Sequence, residues 1–268
     1  MTQVDFSFGG TVPSFYDAGL GPLFFEPYAR NLVERTTITG GASVLEVSAG
    51  TGIATRHLRQ ALPSDAKLTV TDLNPDMLSV AQQRIANDPR IEYQTADAAA
   101  LPFGDGAFDL VVNQFGMMFP ADKVAVFREA RRVLKPSGTF LFNTWGAFVD
   151  NPIGSIANDV VASFFPEDPP RFYEMPFGLH DPAVVEGLAR DGGFDNITCE
   201  VVDLVGQSES AESAARGLVF GSPVIAQIQE RGGDPHAIMR TLEERLAREG
   251  GARPMRLPMR ALVFEARK

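Results

Sequence analysis

Apolar positions along the chain switch between two spacings, and the order of the switches predicts the architecture. Val44-Leu45-Glu46-Val47 is short, β-branched and nearly all apolar, which reads as a buried strand. It breaks into Ser48-Ala49-Gly50-Thr51-Gly52 and resumes at helical spacing through Arg56, Leu58 and Ala61. Lys67 to Asp72 is a second strand, followed by a helix that opens at Pro75 with Asn74 as its cap. Ile91 to Gln94 and Phe108 to Asn113 are the third and fourth strands. Between Ala121 and Leu134 the pattern is an amphipathic helix with Val126, Ala130, Val133 and Leu134 on one face. Its Arg128, Glu129, Arg131 and Arg132 read as a solvated face. Lys135-Pro136-Ser137-Gly138 breaks the helix, and Thr139 to Trp145 is a fifth strand. Strand–helix alternation of this kind predicts an α/β, doubly wound, mostly parallel sheet.

The flanks follow a different pattern. Residues 1–42 open as a glycine-containing aromatic arm and continue as a helix around Pro27 until Gly40-Gly41. Tyr28 reads there as packing, and Tyr16 as a group that could close over a ligand. From 146 to 180 the alternation stops and Pro and Phe dominate. A helix capped by Asp181 runs from Pro182 to Arg190, and a sixth strand from Ile197 to Val205. Residues 208–253 read as helical, and Met259 to Ala266 as the last strand. The expected layout is one domain over 1–268. It comprises an arm (1–42), a ligand-binding core (43–145), lid insertions (146–180 and 208–253) and a closing strand (259–266).

In a doubly wound sheet, ligands sit outside the carboxyl ends of the strands. The loop there, Glu46-x-Ser48-x-Gly50-Thr51-Gly52, lacks the Gly-x-Gly-x-x-Gly spacing that seats a dinucleotide pyrophosphate. The acid at Glu46 would repel a diphosphate and suits an ammonium group. Asp72 ends the second strand about 20 residues on, where a carboxylate can accept from both hydroxyls of a ribose. Asp97 follows the third strand and reads either as an acceptor for an adenine amine or as a helix cap. His57, His180 and His236 are far apart, and no Ser-His-Asp, Cys-His or metal-ligand set is visible. His180, at the end of the aromatic insertion, is the best base candidate, ahead of Tyr16 and Tyr173.

Bulk properties narrow the partners. A net charge of −10 over 268 residues argues against nucleic acid or an anionic membrane surface. The single cysteine, Cys199, forms no intrachain disulfide, and no run approaches the ~18 apolar residues of a membrane span. With no basic–apolar leader at Met1 to Phe6, a cytoplasmic location is expected; a homodimer remains compatible.

Taken together, Val44–Gly52, Thr69–Leu78, Ala96–Asp109 and Phe127–Gly138 resemble the class I S-adenosylmethionine-dependent methyltransferases. The likeness is to their small-molecule group, which includes the ubiquinone/menaquinone C-methyltransferases. The resemblance implies a seven-stranded sheet with its last strand antiparallel, and S-adenosylmethionine as cofactor. It implies that Glu46, Ser48, Ala49, Gly50 and Gly52 surround the methionine moiety, with Ser48 standing where the family usually has glycine. Asp72 would hold the ribose, Leu73 and Met77 would pack on the adenine, and Asp97 with the Ala98 amide would read its edge. Asn113, Gln114 and Phe119 would line the methyl side, and Tyr16 would close over the cofactor. Phe148, Phe165, Phe172, Tyr173 and Phe177 are the candidate pocket for an apolar or aromatic small-molecule acceptor. Two alternatives stand beside this reading: a non-catalytic S-adenosylmethionine-binding protein and a nicotinamide-dependent oxidoreductase.

Overall fold

A computed structural model describes residues 15–85 and 88–268, so the first 14 residues of the aromatic arm lie outside the described residues. The chain divides into two compact units.

Residues 28–145, 179–202 and 261–268 make up the first unit. Its framework is a sheet of β1 (Ser43–Glu46), β2 (Lys67–Asp72), β3 (Ile91–Thr95), β4 (Phe108–Gln114), β5 (Leu134–Trp145), β6 (Asn196–Ser208) and β7 (Met255–Arg267). The spatial order is β3-β2-β1-β4-β5-β7-β6. The pairs among β1 to β5 are parallel, and β7 runs antiparallel to β5, so the sheet is mostly parallel, as expected. The order reverses beside β1, and the crevice between the carboxyl ends of β1 and β4 is where such a sheet takes its ligand.

Helices α1 (Glu26–Glu34), α2 (Ile53–Ala61), α3 (Pro75–Arg84), α4 (Lys123–Val133) and α6 (Pro182–Asp191) cover the sheet, α5 (Pro152–Ser163) belonging to the second unit. Strand parity assigns the faces. Phe140 and Phe142 pack with Phe127 of α4, whereas Trp145, of opposite parity, meets Tyr28 of α1 edge-on at 5.4 Å. Tyr28 is fully buried and donates to the Val202 carbonyl, a packing role.

Several boundaries differ from the sequence pattern: α1 ends at Glu34 and not at Gly40-Gly41, β6 extends to Ser208 and not Val205, and three further differences are of more consequence. β5 starts at Leu134, because Phe108 pairs with Leu134 and Leu110 with Thr139, which turns Lys135–Gly138 into a bulge with Ser137 left-handed at φ 80°. β7 starts at Met255, four residues early. No helix follows Asp97: the chain makes a tight Asp97–Ala100 bridge, and Asp97 Oδ1 accepts from the Ala99 amide instead of capping a helix.

Residues 15–27, 146–178 and 203–260 make up the second unit. It holds a π-helix (Tyr16–Phe25), α5 (Pro152–Ser163), α7 (Ala211–Phe220), α8 (Val224–Glu230) and α9 (Pro235–Gly250). α5 lies inside the stretch read from sequence as a Pro- and Phe-rich insertion. α7 approaches the π-helix so closely that a Cβ on Gly19 would stand 2.5 Å from the Gly217 Cα. Among the described residues, no helix is long and apolar enough to cross a membrane.

Candidate active site

The site forms where three strands of the first unit end. After β1, the chain is held on both sides: the Val47 amide donates to the Val112 carbonyl and the Ala49 amide to the Thr71 carbonyl. The Thr71 hydroxyl, buried, donates to the Glu46 carbonyl at 2.9 Å. Three residues of this loop are left-handed, Ser48 (φ 56°), Gly50 (φ 57°) and Gly52 (φ 79°). At Gly52 a side chain would also meet Ala81 Cβ at 2.9 Å, which joins α2 to α3 closely. The left-handed backbone at 48 explains the family's usual glycine, and serine there carries roughly 1–2 kcal/mol of strain.

Asp72 closes the loop from β2. Its Oδ2 accepts from the Gly50 amide and its Oδ1 from the Asn74 amide, both at 2.8 Å. Burial pushes its pKa up, and the amides of Asn74, Gly50 and Leu73 pull against that. Each oxygen keeps a lone pair for a vicinal hydroxyl. Asn74 caps α3 as expected, accepting from the Asp76 and Met77 amides.

Glu46 carries the electrostatic feature of the site. Only 1% exposed, its Oε2 makes no hydrogen bond. Burial raises its pKa to about 8, with Thr55 opposing the rise and the Asp72 charge adding to it. A buried carboxylate oxygen without a partner costs free energy, which a bound ammonium group would offset. An orphaned acceptor, a loop backbone open at Gly50 and a carboxylate positioned for a diol together fit S-adenosylmethionine.

The remaining predicted residues are distributed unevenly. Leu73 is 67% exposed beside Asp72, while Met77, in the first turn of α3, is buried. Asp97 is exposed and Ala98 half-buried on the bridged turn after β3. Asn113 is buried, its Nδ2 donating to the Val47 carbonyl and its Oδ1 accepting from the Gly116 amide, so it braces two loops. Gln114 is half-buried at the end of β4, and Phe119 is 42% exposed beyond it. His180 is exposed, and the Leu179 carbonyl before it accepts from Thr144 near the carboxyl end of β5. The first unit thus brings Glu46, the loop, Asp72, Asn113 and Gln114 to one sheet edge. A groove of about 210 Å³ at the amino ends of β1 and β4, lined by Arg35, Thr37, Asp109 and Arg267, holds none of them.

The aromatic candidates belong to the second unit. Tyr16 stacks on Phe25 at 4.9 Å, and Phe148 meets Phe177 edge-on at 4.8 Å. Phe165 lies against Gly233. Phe172, Tyr173 and Phe177 are buried in that unit, and the Tyr173 hydroxyl donates to the Leu218 carbonyl, with burial raising its pKa.

Two contributions escape the sequence pattern. Glu129 and Arg132 are not simply solvated: Glu129 accepts from the Leu101 amide, and Arg132 donates to the Phe103 and Leu101 carbonyls, fixing the segment after Asp97. Gly116 packs so tightly that a Cβ would lie 2.5 Å from Ser48 Cβ and 2.6 Å from Asn113 Nδ2. Gly116→Ala is therefore expected to lower both melting temperature and affinity for S-adenosylhomocysteine. Adding Ser48→Gly should recover only part, because Asn113 still blocks the new methyl; full recovery in the double variant would place the clash at Ser48 alone.

An acid-tipped first strand, a glycine loop, an acid-tipped second strand and this sheet order agree with what the resemblance to the class I methyltransferases implies. Residues 44–138 match the model of a methyltransferase domain family, which together with the relatives below supports a class I S-adenosylmethionine-dependent methyltransferase with S-adenosylmethionine as its cofactor. Similar relatives include the ubiquinone/menaquinone biosynthesis C-methyltransferase UbiE of Hahella chejuensis, 35% identical over 50% of this chain and 54% of that protein. The UbiE of Escherichia coli K12 is 28% identical over 66% of this chain and 78% of that protein. The chain spans about half the length of the Hahella relative. Among solved structures, a phosphoethanolamine N-methyltransferase of Haemonchus contortus bound to S-adenosylhomocysteine shares the fold. Its TM-score is 0.61 at 18% identity, covering 96% of this chain and 57% of that one.

Proposed function

We propose that the protein transfers the methyl group of S-adenosylmethionine to a small apolar or aromatic acceptor. The observation that carries this is the Glu46–Asp72 pair: an orphaned buried carboxylate oxygen and a loop-bound carboxylate at one crevice. The cofactor supplies a methyl carbon on a sulfonium, open to in-line displacement. The chain's part is to bind, orient and exclude water. Glu46 would neutralise the ammonium group, the loop amides would follow the methionine moiety, and Asp72 would fix the ribose. Leu73 and Met77 would flank the adenine, with Asp97 and the Ala98 amide at its edge. Gln114 and Phe119 would face the methyl side, with Asn113 holding that wall in place. Tyr16, Phe148, Phe165, Phe172, Tyr173 and Phe177 are proposed to close and line the acceptor pocket. A cytoplasmic location belongs to this reading; the Cys199 thiol, its pKa raised to about 11 by burial, is correspondingly unreactive.

His180 is proposed as the base for an acceptor that must lose a proton. His180→Ala is expected to lower kcat by about 10²-fold while leaving S-adenosylhomocysteine affinity unchanged. The direct test is transfer of labelled methyl from S-adenosylmethionine to a panel of phenols and hydroquinones. Label in the organic-soluble product is the expected result. Tight cofactor binding without label in any acceptor would favour a non-catalytic binding protein.

A further inference from the structure

Phe115, directly after β4, adopts a left-handed backbone at φ 52°, a conformation that bulky side chains rarely take. Several contacts over-determine it. Its amide donates to Asn143 Oδ1 at 2.9 Å. Its ring stacks on Trp145 at 3.8 Å and 6°, and meets Tyr28 edge-on at 5.5 Å. The next amide, Gly116, donates to Asn113 Oδ1 at 2.9 Å. Two carboxamides on neighbouring strands therefore take two successive amides of one kink. The kink seats Gly116 against Ser48, itself left-handed in the loop after β1.

Asn143 is fully buried, and its Nδ2 makes no hydrogen bond. A buried donor left unmet is a cost that an apolar side chain of the same size would remove. The accepting oxygen is what the position needs. We infer that Asn143 is a positioning residue: by accepting the Phe115 amide it sets the kink after β4, and through the Gly116–Ser48 contact it fixes the shape of the cofactor loop. The inference rests on the cofactor reading above.

Trp145 is the only tryptophan of the chain, so the kink has its own optical signal. The test compares wild type, Asn143→Leu, Ser48→Gly and the double variant by near-ultraviolet circular dichroism and by calorimetric titration with S-adenosylhomocysteine. Asn143→Leu is expected to weaken binding at least fivefold and to reduce the Trp145 band. In the Ser48→Gly background the same change should cost less than twofold, because the wall that transmits the shift is gone. An Asn143→Leu affinity within twofold of wild type overturns the inference, as does an equal loss in both backgrounds. If the leucine variant fails to fold, Asn143→Ser, whose oxygen falls short of the Phe115 amide, is judged by the same two readouts. Wild type failing to bind would overturn the cofactor reading instead, and an unchanged Trp145 band would then overturn this one too.

Discussion

Asp72→Ala is expected to weaken S-adenosylhomocysteine binding by at least 10²-fold in calorimetric titration. The carboxylate serves two structures at once. It accepts from the Gly50 amide of the glycine loop and from the Asn74 amide that opens α3, and in the proposed reading its remaining lone pairs take the ribose hydroxyls. Hydrogen bonds to a charged group contribute about 1.5–3 kcal/mol each, and about 1.4 kcal/mol is tenfold in affinity. Losing one ribose contact alone would cost about tenfold or more, and releasing the Gly50 amide adds the cost of reordering the loop. Asp72→Asn should fare little better, because its amide nitrogen must face either Gly50 N–H or Asn74 N–H, donor against donor. An alanine variant within threefold of wild type would remove Asp72 from the binding site.

Glu46→Gln should abolish a pH dependence that wild type displays. Wild-type affinity for S-adenosylhomocysteine is expected to climb between pH 6 and 8, by up to tenfold per pH unit, and then level. The reason is that Glu46, its pKa raised from 4.5 to about 8 by burial, must lose a proton before it can pair with the ammonium group. Titrations in buffers of different ionisation enthalpy should show the proton released. The same shift acts on the free protein. A group whose pKa is higher folded than unfolded contributes stability that is fully present below about 4.5, and that stability is lost as pH rises toward about 8. The glutamine variant should therefore melt above wild type at pH 8 without ligand, by about 2–4 °C for each kcal/mol recovered. It should also bind more weakly there. A wild-type affinity that stays flat across this range would show that Glu46 does not meet the ammonium group.

Much of this site is legible along the chain because its signals are local. The glycine loop follows an apolar β-branched run, Asn74 stands before Pro75, and Asp181 stands before Pro182. In each case the deciding residues are neighbours, and the caps form as expected. What escaped detection depends on distant partners. Asn113 reaches Val47, and Asn143 reaches Phe115, across 66 and 28 residues. Neither carboxamide differs in sequence from one on a surface strand. Glu129 and Arg132 read as solvated because the backbone they hold, at Leu101, is within hydrogen-bond reach in space but 28 and 31 residues away along the chain. α5 escapes the sequence reading although Ile153, Ile156, Ala157, Val160 and Val161 are buried at i, i+3, i+4, i+7 and i+8 along one face, because the Phe- and Pro-rich residues that follow it dominate the composition of the stretch. β7 looked shorter because of Pro258. That residue precedes the pairing with β5, which begins at Ala261, so its missing N–H breaks no rung of that ladder.

The backbone passes between the two units five times, at 27/28, 145/146, 178/179, 202/203 and 260/261. A single recombination crossover in the gene would therefore carry at most part of the helical unit and leave its apolar faces without partners. That unit cannot be exchanged between relatives as a cassette. Its sequence can change only in place, residue by residue or by lengthening loops, while the strands that thread into it stay fixed. Moving that unit into another methyltransferase would require three segments to be moved together.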